Sequence, residues 1–394
     1  MKTFQNEQDN LSIYVHWPFC LSKCPYCNFN SHLSSKVEHN VWLKSYILEL
    51  EYFAHLIKNK YIKSIFFGGG TPSLMKPFVV EGIINKIAQF GIIDDQTEIT
   101  LEANPTSFEV QKFKNFNLAG INRVSIGVQS LNDADLKFLG RTHSSKEAIK
   151  AIEAARLLFR KISFDLIYAR TNQTLHNWKQ ELEEAMNLAS GHISLYQLTI
   201  EKNTIFFKLF QDSDLSVPNQ DETADMYNWT NTYLESQNYS RYEISNYATY
   251  GNESIHNLTY WNYNNYLGIG PGSHSRITEY SENKNSTQSI MMWHRPDKWL
   301  QSIEKLGHAI QVDNTLSLQE TIEEFFMMGL RLKDGINLDN IKRFNGLKLS
   351  DMIDQKMAEY YINLQLLDCS NNIIRLTNKG LILHNYLVPR LVSC

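Results

Sequence analysis

Between residues 12 and 200, short apolar runs alternate repeatedly with segments whose apolar residues recur every three to four positions. The strand-like runs fall at 13–16, 62–67, 98–102, 123–129, 162–168 and 193–200, and the helix-like segments include 41–57, 77–90 and 175–188. Two parallel strands cannot be joined by a hairpin and need a crossover, so this alternation predicts an α/β chain with a parallel sheet under helices. An open doubly wound sheet and a partial barrel both satisfy it, and both place ligands at the carboxyl ends of the strands. Thr106 with Glu109, and Ser144 with Glu147, have capping-box spacing and mark helix starts.

The residues with chemical potential cluster at those strand ends. A loop with three cysteines follows the first strand, and Gly68-Gly69-Gly70 follows the second. Glu102 ends the third strand, Gln129 ends the fourth, and Asp165 lies within the fifth. Residues 201–300 change character and are rich in Asn, Tyr and Trp. From 315 the chain turns helical, opening on a capping box at Ser317 and Glu320, with helices expected to 332 and near 352–366. A strand at 373–377 and a last helix give this end a small winged-helix-like pattern. At roughly 150 residues per domain, the expected division is 1–200, 201–314 and 315–394.

Charge narrows the function classes. Lys and Arg total 38 and Asp and Glu 42, a net charge of −4, which argues against broad binding to nucleic acid or an anionic membrane. No run approaches the roughly 18 apolar residues of a membrane span. The N-terminal MKTFQNEQDN is polar and lacks the apolar core of a secretion signal. A cytoplasmic location is the expectation.

Of the five cysteines, three fall at Cys20, Cys24 and Cys27, while Cys369 and Cys394 are far away. An odd number disfavours a paired disulfide framework, and clustered thiols in a reducing compartment point to metal or redox chemistry. A structural zinc site takes four protein ligands; no fourth Cys or His completes an obvious pair here, although His16 and His32 are near in sequence. Four-cysteine ferredoxin runs have other spacings. What remains is an iron–sulfur cluster with one iron left open for a ligand.

Cys20-x3-Cys24-x2-Cys27, followed by the β/α alternation, resembles the radical S-adenosylmethionine (SAM) enzymes, whose fold is a partial (β/α)6 barrel. That resemblance implies a [4Fe–4S] cluster on the three cysteines, with the amino and carboxylate groups of SAM on the fourth iron. The stretch from Ile13 through Cys20, Pro25-Tyr26-Cys27-Asn28-Phe29, Phe67-Gly68-Gly69-Gly70-Thr71-Pro72-Ser73, Glu102-Ala103-Asn104-Pro105, 125–130 and Asp165-Leu166-Ile167-Tyr168 is similar to the oxygen-independent coproporphyrinogen III oxidase family. The resemblance covers nearly the whole chain and is nearest to the HemW heme-chaperone branch. Oxidases of the family carry a fourth cysteine two residues after the third, where this chain has Phe29. His256-Asn257-x-x-Tyr260-Trp261 matches the HNxxYW motif of the chaperone branch.

By motif match, the resemblance implies that Gly69, Gly70 and Thr71 contact the methionine end of SAM. It further implies that Glu102 receives the SAM ammonium, Arg141 pairs with the carboxylate, and Gln129 and Asp165 bind the ribose. Tyr14 and Tyr26 would flank the cluster. His256 would ligate heme, with Tyr260 and Trp261 near it; His274, in the glycine-rich segment, is a weaker candidate. The implied partners are heme and apo-hemoproteins, membrane respiratory enzymes among them, with a homodimer as a further expectation. The alternative is the enzyme of porphyrin biosynthesis, a radical decarboxylation of coproporphyrinogen III. One motif departs from the family. After Tyr168 the usual Gly-Leu-Pro-Gly is replaced by Ala169-Arg170-Thr171-Asn172, which alters the turn's backbone preferences and adds a charge near the strand end.

Overall fold

The computed structural model describes residues 9–34, 36–281, 285–344 and 346–392. The other positions, Cys394 and most of the polar N-terminal segment among them, lie outside that description. Six strands follow the order of the chain: β1 Asn10–Trp17, β2 Tyr61–Gly69, β3 Glu98–Ala103, β4 Arg123–Gln129, β5 Lys161–Tyr168 and β6 His192–Gln197. Each pairs in parallel with the next. Helices return the chain between them: α1 His39–Tyr52, α2 Pro77–Phe90, α3 Ser145–Leu158 and α4 Leu175–Leu188. The capping box of Ser144 and Glu147 is formed.

β6 does not return to β1. Two short strands follow α5 Gln220–Ser236: β7 Ser240–Arg241 and β8 Asn246–Ala248; the free side of β6 pairs antiparallel with β8, and β8 with β7. On the other side, β9 Tyr266–Ile269 adds to β1 in parallel. An antiparallel run, β10 His274–Glu279, β11 Ser286–Met292 and β12 Ile310–Thr315, extends it. The architecture is thus a curled, open barrel inside a twelve-stranded sheet. The antiparallel extension comes from the Asn- and Tyr-rich segment, in which no strand was expected beforehand.

The strands have two faces, because side chains alternate across a sheet. Ile13, Val15, Ile65, Phe67, Leu101, Val124, Ile126, Phe164, Leu166 and Ile193 face the helices and join one apolar core. The opposite set is polar: Ser12, Tyr14, His16, Ser64, Glu98, Thr100, Glu102, Arg123, Ser125, Ser163, Asp165, His192 and Ser194. These side chains line the barrel lumen and bond one another, as in Ser163 Oγ to Ser125 Oγ at 3.0 Å. A parallel sheet buried on both sides usually reads as continuous apolar runs. Here the alternation sets apart a face that looks into a working interior.

Helix α6, Ile255–Trp261, stops the lower end of the lumen. Glu98 Oε1 accepts from the Ile255 amide at 2.9 Å, while Glu98 Oε2 pairs with Arg123 Nη1 at 3.1 Å. The same guanidinium donates to the Asn252 and Glu253 carbonyls. Past α6, Tyr263 enters a second apolar core with Ile322, Phe325 and Phe326, and its hydroxyl donates to Glu324 at 2.8 Å. That core belongs to the C-terminal unit, with helices at Leu318–Gly329, Gln355–Asn363 and His384–Val392 around the three-stranded sheet β13 Ile336–Asn337, β14 Leu367–Ser370 and β15 Ile373–Leu376.

Two local expectations are corrected. The helix expected over 41–57 breaks at Phe53, and Ala54–Ile57 forms a separate turn. Thr106 caps only one turn, Ser107–Val110, and the capping box does not close: the Glu109 carboxylate accepts from Ser73 Oγ, the Asn104 amide and the Thr106 hydroxyl, not from the Thr106 amide.

The altered turn after β5 is also explained. Ala169 and Asn172 take left-handed backbone conformations, with φ of 57° and 59°, the region glycine would occupy freely. Arg170 does not line the cavity above the sheet. It is buried, pairs with Glu181 and with Asp135 at 2.9 Å, and donates to the Ile167 carbonyl. Removing one partner of such a buried pair leaves an uncompensated charge, at a cost of about 3 kcal/mol or more. Arg170→Met should therefore lose about that much unfolding free energy in urea titration. A loss under about 1 kcal/mol would show that the pair does not hold the turn.

Candidate cluster and cofactor site

The cysteine loop leaves β1 and folds over the carboxyl ends of the strands. Two backbone hydrogen bonds fix its start on the turn after β2: Gly70 N to Trp17 O at 2.7 Å, and Thr71 N to Phe19 O at 2.9 Å. The two glycines permit that crossing. A Cβ on Gly69, whose φ is 113°, would meet the His16 ring at 2.6 Å, and one on Gly70 would meet the Phe19 carbonyl at 2.6 Å. Further on, Asn30 Nδ2 donates to the Pro271 and His294 carbonyls, both at 3.0 Å, and ties the end of the loop to the antiparallel extension.

Cys20, Cys24 and Cys27 are half-buried free thiols lining one cavity of about 460 Å³. Each has a polar neighbour suited to a thiolate. Thr71 Oγ1 donates to Cys20 Sγ at 3.4 Å, and Arg141 Nη1 to Cys24 Sγ at 3.5 Å. The Cys27 sulfur is within reach of the Phe29 backbone. Burial pushes the Cys20 and Cys27 thiols up, and these hydrogen bonds pull them back. No three His, Cys, Asp or Glu side chains among the described residues are grouped to hold a single metal ion. Three thiols around one cavity are one protein ligand short of a closed structural zinc site, and they fit a multi-iron centre with one iron left open.

The same cavity is lined by Tyr26, Gly69, Gly70, Thr71, Glu102, Gln129, Arg141 and Asp165. Glu102 Oε2 accepts from the Gly69 amide at 3.2 Å. Burial first, then the neighbouring Asp165, raises the Glu102 carboxyl to about 8. Burial also lifts Asp165 to about 6, against hydrogen bonds from Ser194 and Ser125 and the charge of Arg141. Arg141 spans the site, donating from Nη2 to Asn104 Oδ1 at 2.6 Å and to Gly127 O at 2.7 Å. Its Nε is buried without a partner. Gln129 reaches the cavity because β4 ends in a register shift that leaves it at φ 73°. Asn104 and Tyr196 also line the cavity and were not singled out from the sequence. Asn104 stands in the quoted Glu-Ala-Asn-Pro motif, so its signal was present. Tyr196 carried none.

Tyr14 and His256 lie elsewhere. Tyr14 does not line the cavity; its hydroxyl bonds His16 Nδ1 at 3.0 Å, and its ring stacks on Phe66 and His256 one layer below. His256 is 1% exposed. Its Nδ1 is 2.7 Å from Ser64 Oγ and its Nε2 is 2.9 Å from the Tyr260 hydroxyl. The direction of these bonds follows from the chain they belong to. Thr259 Oγ1 donates to the Ile255 carbonyl, so it accepts from Ser12, which accepts from Ser64. Ser64 must then accept from His256 Nδ1–H, and Nε2 accepts from Tyr260. Burial lowers the His256 imidazole to about 3. In this state both ring nitrogens are engaged, so heme ligation by His256 requires the bond to Ser64 or to Tyr260 to open.

A curled parallel sheet with a three-thiol loop and a glycine turn above its carboxyl end defines a radical SAM protein. Residues 14–185 match the model of the Radical SAM superfamily, and residues 316–383 that of the HemN C-terminal domain. The heme chaperone HemW of Escherichia coli strain K12 is 33% identical over 363 residues, covering 92% of this chain and 93% of that protein. The HemW of Haemophilus influenzae is 34% identical over 89% of this chain and 91% of its own length. Radical S-adenosyl methionine domain-containing protein 1, mitochondrial, of Danio rerio is 38% identical over 85% of this chain and 76% of its own length. The chain belongs to the HemW-type family of radical SAM proteins. In fold it is similar to the coproporphyrinogen III oxidase HemN of Escherichia coli, with a TM-score of 0.82 at 20% identity over 99% of this chain and 92% of that one. Family membership implies SAM and a [4Fe–4S] cluster, and the donors described above fit both.

Two buried carboxylates, Glu102 in the cavity and Glu49 against Gly270 and Trp299, give the cluster-free protein a pH signature. Glu102 and Glu49 both have folded values near 8, whereas an unfolded Glu titrates near about 4.3. The folded state keeps protons that the unfolded state has released, so stability falls as pH rises toward 8. His16 and His143, lowered to about 4, act in the opposite sense, but only below about pH 6.5. The melting temperature should therefore drop between pH 6.5 and 8.5, and Glu102→Gln should shrink the drop. An unchanged slope in that variant would contradict the protonated Glu102.

Proposed function

We propose that this protein is a heme chaperone: it takes up heme and delivers it to apo-hemoproteins, membrane respiratory enzymes among them, with a SAM-ligated cluster as its control centre. The observation that carries this reading is Phe29. It lines the cavity mouth, is 64% exposed, and stands where the oxidases of the family have a fourth thiol. A phenyl ring can neither donate a hydrogen atom nor ligate iron. The cavity, about 460 Å³, is within the range of about 300–1,000 Å³ that ligand sites span.

When bound, the SAM-ligated cluster supplies one-electron chemistry. The chain's own residues bind and orient. Cys20, Cys24 and Cys27 hold the cluster, and the Thr71 and Arg141 donors offset its negative charge. Glu102, fixed by the Gly69 amide, takes the SAM ammonium, and in doing so releases the proton that burial makes it hold. Arg141 directs its guanidinium at the SAM carboxylate, while Gln129 and Asp165 take the ribose hydroxyls. Tyr26 shields the loop from water. The loop thiols stay reduced in a reducing compartment, and we place the protein's work in the cytoplasm. No helix among the described residues is long and apolar enough to cross a membrane.

Asp165→Asn should weaken SAM binding about tenfold by calorimetry, the value of one lost charged hydrogen bond. Tyr14→Phe should leave the affinity within about twofold, because Tyr14 does not reach the cavity. The reverse order would move the ribose site. The test of the function is an anaerobic titration of the cluster-loaded protein with hemin, followed by absorbance. Saturable binding with subsequent transfer to an apo-hemoprotein is expected. Absence of binding, together with carbon dioxide release from coproporphyrinogen III, would establish the oxidase instead.

A further inference from the structure

Two of the three cavity thiols have a side-chain donor, and the two donors come from different strand ends. Thr71 lies in the turn after β2 and donates to Cys20 Sγ, while Arg141 follows β4 and donates to Cys24 Sγ. One side chain touches both donors. Asn104, directly after β3, is 2.6 Å from Arg141 Nη2 through Oδ1 and 3.4 Å from Thr71 Oγ1 through Nδ2.

The orientation of that amide follows from its neighbours. A guanidinium has donors only, so the atom of Asn104 that faces Arg141 is the oxygen. Nδ2 then faces Thr71 and donates to it. A hydroxyl has one proton. With Asn104 donating to its oxygen, the Thr71 hydroxyl gives that proton to Cys20. On the other side, Nη2 of Arg141 is spent on Asn104 and the Gly127 carbonyl. Nη1 remains for Cys24, and Nε is buried without a protein partner. Asn104 is itself held. Its backbone amide donates to Glu109 Oε2 at 2.9 Å, and Glu109, buried, also accepts from Ser73 Oγ in the turn after β2. Pro105 follows, which disfavours helical backbone at Asn104.

We propose that Asn104 is a positioning residue for the cluster: its one amide aims Thr71 at Cys20 and Arg141 at Cys24, and through them sets the cluster's reduction potential, while it leaves Arg141 Nε for the SAM carboxylate. This rests on the cluster and SAM placement of the proposed function and is independent of its heme cargo. Hydrogen bonds to the ligand sulfurs offset the charge that reduction adds, and so raise the potential. A threonine hydroxyl free to rotate, or an arginine head free to swing, would divide its time among other partners. Asn104 removes that freedom from both at once, and it ties the ends of β2, β3 and β4 to one setting.

The test is a redox titration of the full chain after anaerobic reconstitution, with the midpoint potential read by electron paramagnetic resonance and SAM affinity by calorimetry. Asn104→Leu removes both contacts at similar size. It should take up iron and sulfide as wild type does, and weaken SAM binding about tenfold. Its potential should fall by at least about 59 mV, a tenfold change in a one-electron equilibrium. Asn104→Asp keeps the shape and the acceptor for Arg141 but cannot donate to Thr71, and it should lower the potential too. Thr71→Val should lower it as well. Adding Asn104→Leu to Thr71→Val should then give a smaller further shift than Asn104→Leu gives alone, because part of its route is already gone. Unchanged potentials in both Asn104 variants would overturn the proposal. So would shifts that add in full in the double variant, the mark of a general loosening of the site. A wild type that takes up no iron and sulfide would overturn the cluster placement on which the proposal rests.

Discussion

The site depends on one crossing of backbones. The turn after β2 passes so close beneath the start of the cysteine loop that only glycine fits at positions 69 and 70, and the amides of Gly70 and Thr71 bond back to Trp17 and Phe19. This clamp sets Cys20 against Thr71, brings Cys24 within reach of Arg141, and turns Glu102 under the Gly69 amide. A side chain at either glycine would push the loop off the barrel and disperse the three thiols. The rest of the sheet supplies the floor and walls under that clamp: carboxylates from β3 and β5, and an amide from the bulged end of β4.

The second constraint is the open lower end of the barrel. An incomplete barrel with a polar lining would fill with water from below. Helix α6 prevents this by fitting its first turn to Glu98, and Glu98 in turn to Arg123. The far end of the same stretch reaches the other way: Arg331 lies 4.4 Å from the centre of the Trp261 ring, and Tyr263 packs into the C-terminal core. The HNxxYW segment therefore joins the C-terminal unit to the lumen. Its histidine is the polar centre of that plug.

Much of this was legible in the sequence. β4 and α4 have the bounds that periodicity assigns them, and α2 starts at Pro77 and ends at Phe90 as expected. Apolar alternation and capping are local signals, so they survive in the sequence. The cysteine spacing is local too. The Asn- and Tyr-rich segment was unreadable because its strands β9 to β12 are mixed in polarity and defined by their partners. His256 shows a limit of another kind. A motif gives residue identity and spacing, but whether a histidine faces solvent or a buried serine depends on Ser12 and Ser64, which are distant in sequence. Arg170 read as a stray charge for the same reason, since Glu181 and Asp135 meet it only after folding.

The hydrogen-bonded chain in the lumen also has a direction. Tyr260 gives its proton toward His256, His256 toward Ser64, Ser64 toward Ser12, Ser12 toward Thr259, and Thr259 ends on the Ile255 carbonyl. A carbonyl has no proton to pass on, so the chain cannot relay one. Beneath a centre built for one-electron chemistry lies a layer that is polar yet behaves as an insulator: it lends the lumen stiffness and a fixed dipole while closing the floor to proton traffic. Exchange between that centre and solvent is left to the mouth of the cavity, beside Phe29.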